Sequence, residues 1–131
     1  MYLVVGIALL YIAGFIFRWN YSLWWYDLFL HFLGGVWVAT AAHKFIISRI
    51  KPSGLIGPVL LVALVALIGV SWEIYEFTID ELFFEERALW RAQEGNTDTM
   101  TDLIMDLVGG AVVAFYLTYR SHQSDLSNQQ S

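Results

Sequence analysis

The sequence predicts an all-α integral membrane protein, built as a four-helix transmembrane bundle. Three observations carry this. Of 131 residues, 58% are hydrophobic and only 15% charged, where a soluble domain carries about 25% charged residues. The apolar residues stand in long runs rather than on an amphipathic period. Aromatic or basic clusters, of the kind that settle at membrane interfaces, bound those runs. The length leaves room for one bundle over residues 1–120 and for no soluble domain.

The first span is predicted over residues 2–19. Met1 to Phe17 is apolar but lacks the basic leader and small-residue cleavage site of a signal peptide, so it reads as a retained helix. Arg18 to Tyr26, rich in Trp and Tyr, is an interfacial stretch. The second span covers 27–47 and is closed by Lys44, Arg49 and Lys51 with Pro52 and Gly54. The third, 55–79, is long enough to cross a core of ~30 Å with some tilt. Residues 80–97 form a charged connector in which Leu82-Phe-Phe84 and Leu89-Trp90 suggest an amphipathic surface helix. The fourth span is 98–119, and the polar, Gln/Ser-rich 121–131 reads as a disordered cytoplasmic tail.

Basic residues set the orientation. The loop after span two holds Lys44, Arg49 and Lys51 and no acid, so it is expected in the cytoplasm. Both termini then lie there too, and the acidic 80–97 connector lies outside the cytoplasmic membrane. This places Asp27 and His31, Glu73, Glu76 and Asp80, and Asp98, Asp102 and Asp106 at the same outer end of spans two, three and four.

Two of these segments repeat one another. Asp27-Leu-Phe-Leu-His31-Phe-Leu-Gly34-Gly35-Val-Trp-Val-Ala39 parallels Asp102-Leu-Ile-Met-Asp106-Leu-Val-Gly109-Gly110-Ala-Val-Val-Ala114. Each stacks two ionisable groups on one helix face and sets a Gly-Gly pair about one turn deeper. Spans two and four run in the same direction, so the chain reads as two parallel two-helix repeats. The glycines would let the backbones approach closely. Asp27 and Asp98 are secondary candidates, since each also suits a helix cap. Asp80, Glu81, Glu85 and Glu86 read as a solvated face.

Carboxylates crowded in low dielectric cannot all be ionised unless a cation joins them. Carboxylate oxygens with one imidazole suit Mg²⁺, Mn²⁺ or Zn²⁺. The expected ligands are His31, Glu73, Glu76, Asp102 and Asp106, with Glu73 and Glu76 spaced i, i+3 on one face. For catalysis, Glu73 or Asp106 would be the general base or hold the metal, and His31 a ligand or proton shuttle. No Ser or Cys nucleophile is well placed, and the absence of cysteine excludes disulfides, iron–sulfur clusters and thiolate chemistry. A di-iron site is disfavoured, because His43 and His122 lie away from His31. The net charge of −5 argues against nucleic acid as a partner.

Asp27-x-x-x-His31-Phe-x-Gly34-Gly35, Trp72-Glu73-Ile-Tyr-Glu76-Phe and Asp98-Thr-Met-Thr-Asp102-Leu-Ile-Met-Asp106-Leu-Val-Gly109 together resemble the YjdF-like inner-membrane proteins, which are distantly VanZ-like. The match runs from Asp27 to about Gly110. Typical YjdF-like members carry further spans ahead of the Asp-x-x-x-His helix, so this chain resembles a minimal core. The resemblance implies a bacterial or archaeal membrane protein. VanZ-like members are associated with low-level teicoplanin resistance, which implies an outward-facing site that binds or acts on a lipid or envelope component. The leading expectation is therefore an acidic/His site, divalent-metal-dependent, for a lipid headgroup or lipid-linked envelope molecule. The alternatives are a proton- or cation-coupled carrier, acting as a homo-oligomer, and a non-catalytic structural or partner subunit.

Overall fold

The computed structural model describes residues 2–83 and 95–128, all in helices or short turns. The expected surface helix over 84–94 lies outside the described residues. Helix α1 (Tyr2–Phe17) leads through the single turn α2 (Trp19–Ser22) into α3 (Tyr26–Ala42). A π-helical segment, His43–Ile47, and the short α4 (Ser48–Ile50) prolong α3. The long helices α5 (Ile56–Phe83) and α6 (Asn96–Asn128) complete the chain.

Three stretches are long and apolar enough to cross a membrane: Tyr26–Ile50, Ile56–Phe83 and Asn96–Ser124. The α1 helix is apolar but has 16 residues, about 24 Å at 1.5 Å per residue, short of a ~30 Å core. It ends before Trp19 because Arg18 adopts a left-handed conformation, φ 58°, which stops α-helical propagation. The described residues thus hold three helices long and apolar enough to span and a shorter apolar helix packed on α3, an all-α membrane bundle. Two further boundaries differ from expectation. Helix α5 runs to Phe83, and α6 continues through Asn128, where disorder was expected from 121. Serine hydroxyls bonding back to carbonyls one turn earlier, as at Ser124 and Ser127, accompany that extension.

Polarity is inverted relative to a water-soluble protein. Leu9, Ile16, Leu67, Ile74 and Phe115 are exposed, while His31, Glu73, Glu76, Asp80, Asp102 and Asp106 are buried. Only an apolar surrounding makes that distribution stable. Each long helix hides one narrow stripe. On α5 it runs Gly57, Leu61, Val65, Gly69, Glu73, Glu76, Asp80, spaced by three or four so that it stays on one face. The stripe is small or aliphatic over its first half and acidic over its second.

The helices α3 and α6 run parallel and pack most extensively, and α5 runs antiparallel against both. At their crossing the backbones touch: a Cβ on Gly35 would land on the Asp106 carbonyl oxygen, and one on Gly109 on the Phe32 carbonyl oxygen. Small residues one turn on, Ala39 and Ala114, are buried as well, the small-xxx-small pattern of close membrane packing. At the basic end the core is Ala42, Ile47, Leu61 and Ala114. Ala42 and Ile47 are five apart and share a face because the π segment inserts the extra residue between them.

The α1 helix is held to α3 by Tyr26, whose hydroxyl donates to the Leu10 carbonyl at 2.7 Å. Tyr26→Phe is expected to lower stability by about 0.5–1.5 kcal/mol. Detergent unfolding checks this, and proteolysis should cleave α1 first in the variant.

Candidate metal centre

The parallel run of α3 against α6 turns the sequence repeat into a layered site. Asp27 and Asp102 meet at one level, His31 and Asp106 one turn deeper, and the glycine crossing lies beneath them. Antiparallel α5 brings Glu73 and Glu76 to the same layers from the third side.

Two sets of three ligand atoms result. Asp27, His31 and Asp102 each offer one atom within 4.8 Å of the others, as do His31, Glu73 and Glu76. Three ligands around a cation at ~2.1 Å stand roughly 3.0–3.6 Å from one another, so pairs at the outer limit of each set have to draw in by about 1–2 Å. His31 belongs to both sets. Its Nδ1 also lies 3.4 Å from Oδ2 of Asp106, at the long limit of a hydrogen bond. Asp102 is only 2% exposed, and its Oδ1 has no hydrogen-bond partner among the described residues. Such an atom is costly to bury unless something binds it.

The neighbours are shaped around these groups. Trp72 Nε1 donates to Oε1 of Glu76 at 2.9 Å, fixing that carboxylate from one turn back on α5. A Cβ on Gly69 would stand 2.6 Å from Oδ2 of Asp106, so the missing side chain of α5 is the space that the carboxylate fills. The repeat is therefore asymmetric in detail: Asp106 is walled by Gly34, Gly35 and Gly69, whereas Gly110 faces Val65.

Of the ligands expected from sequence, His31, Glu73, Glu76 and Asp102 fall into the two sets, joined by the secondary candidate Asp27. Asp106 is adjacent, through His31. Asp98 falls in neither set; it sits in the first turn of α6, where a carboxylate complements the helix dipole. Asp80 corrects the sequence reading. It is not on a solvated face but 1% exposed, because it continues the Gly69, Glu73, Glu76 stripe. That i, i+4, i+7, i+11 spacing was the available signal. Trp72 and Gly69 were also missed as site residues, although the Trp72–Glu76 spacing of four is a standard same-face pair.

A cavity of about 520 Å³ opens beside the cluster, between α1, α3 and α5. Asp27, His31, Glu76 and Asp106 line it toward the acidic end, and most of the remaining wall is apolar. Its size is that of a small-molecule site.

A family model described as "Predicted membrane protein (DUF2238)" matches residues 1–123. An uncharacterised protein of Thermotoga maritima is 32% identical over 90 residues, which is 67% of this chain and 45% of that protein. The chain thus spans less than half the length of that relative. No solved structure matches the chain. The finer YjdF-like and VanZ-like relationships rest on motif resemblance alone.

Proposed function

The chain belongs to the DUF2238 family of predicted membrane proteins, and on that premise we propose that it binds a divalent cation between its helices and uses it to hold, and process, the headgroup of a lipid or lipid-linked envelope molecule. The observation that carries this is the pair of ligand sets sharing His31, with a buried Asp102 oxygen among them that no described residue satisfies. Mg²⁺ or Mn²⁺ suits the carboxylate-rich set best, and Zn²⁺ would favour the imidazole. With the ion on the Asp27, His31, Asp102 set, Glu73 beside it serves as the base for a metal-assisted hydrolysis.

Two features support a binding site rather than a passage. Beyond the Gly35–Gly109 crossing, the described residues bury no ionisable group, so the acids stop partway along the bundle. The basic residues Lys44, Arg49 and Lys51 mark the other end as cytoplasmic, which turns the acidic end and its cavity outward.

Elemental analysis of the purified protein tests the reading. We expect one equivalent of divalent metal, with affinity falling about tenfold or more in Asp102→Asn and in Glu76→Gln. Full retention in both variants would remove the basis for the proposal.

A further inference from the structure

The cavity beside the cluster is amphiphilic, and a cation alone does not account for its apolar length. Beyond His31 and Asp106 its walls are Ile7 and Ala8 of α1, Val38 of α3, and Val65 and Ile68 of α5. From Asp27 to Val38 the α3 wall is about 16 Å long at 1.5 Å per residue. The α1–α5 side is open. Among the described residues α1 packs on α2 and α3 and makes no close backbone approach to α5. The Tyr11–Trp72 ring pair, edge to face with centroids 6.4 Å apart, bridges that gap. This is the side on which a molecule in the bilayer would meet the cavity, between two apolar helices.

We propose that this cavity binds a single-chain lipid phosphate, with its hydrocarbon chain between α1 and α5 and its phosphate on the cation at His31. The inference rests on the cation site proposed above. Asp27, Glu76 and Asp106 would repel a phosphate, and the described residues of the lining include no Lys or Arg to offset them. A divalent ion reverses the local sign. It also makes binding ordered: metal first, phosphate second.

Volume selects one chain. At about 30 Å³ per water-sized group, the cavity holds roughly 17 such groups, enough for a phosphate and about a dozen carbons. Two acyl chains with a glycerol do not fit inside it together. Entry between α1 and α5 would bring a lipid from the bilayer without taking its chain through water, which keeps the hydrophobic cost of transfer small.

The full chain in lipid nanodiscs loaded with Mn²⁺ provides the test, with phosphorus relaxation reporting phosphate next to the paramagnetic ion. Dodecyl phosphate should broaden in a saturable, Mn²⁺-dependent way. Dioleoyl phosphatidic acid and inorganic phosphate should each bind about tenfold more weakly or worse. Val38→Trp and Ile68→Trp fill the apolar length and alter none of the ligand residues. Both should keep stoichiometric Mn²⁺ and lose dodecyl phosphate binding by about tenfold or more. Phosphatidic acid or inorganic phosphate binding as tightly as dodecyl phosphate would overturn the single-chain lipid while leaving the cation site standing. So would unchanged binding in both tryptophan variants. Absence of Mn²⁺ from the unsubstituted protein would overturn the cation site and this inference together.

Discussion

Gly35→Ala is expected to lower the stability of the bundle by about 1–3 kcal/mol, and Gly35→Val by more. The added Cβ would occupy the position of the Asp106 carbonyl oxygen on α6. That atom is backbone inside a helix and has nowhere to turn, so the two helices must separate. Gly109→Ala meets the Phe32 carbonyl from the opposite side of the same crossing and should cost a similar amount. Because both substitutions open one crossing, the double variant should fall short of the sum of the singles. Gly34 supplies the control within the same Gly-Gly pair. Its Cβ would meet Oδ1 of Asp106 at 3.7 Å, an ordinary contact, so Gly34→Ala should stay within about 0.5 kcal/mol of the original protein. Unfolding in mixed micelles reads all five variants. Equal effects at Gly34 and Gly35 would mean that α3 and α6 do not cross at this register. Separation at Gly35 also displaces Asp106 and the His31 contact, so weakened metal binding should accompany the loss of stability.

The repeat made this crossing legible from sequence, because it fixed three things at once: a face, a direction and a depth. Asp27 with Asp102, His31 with Asp106, and the glycines beneath are periodic features of two helices, and α-helical geometry alone predicts their alignment once both helices run the same way. Asp80 was not legible for the opposite reason. Its burial depends on how far α5 stays packed beyond residue 79, where the span was expected to end, which tertiary contact decides and local composition does not. Counted among Glu81, Glu85 and Glu86, it looked solvated; counted along the Gly69–Glu73–Glu76 stripe, it is interior. The stand-off of α1 was equally invisible. Periodicity shows that α1 is apolar, but its hydrophobic residues recur around most of the helix, so nothing in them says which neighbour it leaves uncovered. The π segment escaped for a similar reason. His43-Lys-Phe-Ile-Ile47 carries no proline or glycine, and the extra residue is revealed only by Ala42 and Ile47 reaching the same core.

His31→Ala should abolish metal binding where single carboxylate variants only weaken it. Loss of Asp102 leaves the His31, Glu73, Glu76 set intact, and loss of Glu76 leaves Asp27, His31 and Asp102; loss of the imidazole breaks both. A purely structural role for His31 predicts something else: reduced stability in every condition, with metal content following folding. Two readouts separate these cases. The cavity reaches the imidazole position, so imidazole added to the His31→Ala protein should enter the vacated space and restore part of the metal binding. The second readout is pH. A ligating imidazole must be neutral and ligating carboxylates ionised, so metal binding displaces protons and weakens as pH falls. The proton contributed by His31 is absent in the variant, so any imidazole-free binding that remains should depend less steeply on pH. Stoichiometric metal in folded His31→Ala protein, with an unaltered pH profile, would leave the carboxylates as the whole site and remove the histidine from it. Loss of metal with rescue by imidazole, at a concentration that leaves the variant's stability unchanged, would place the nitrogen itself on the ion, since filling the vacated space alone acts through stability.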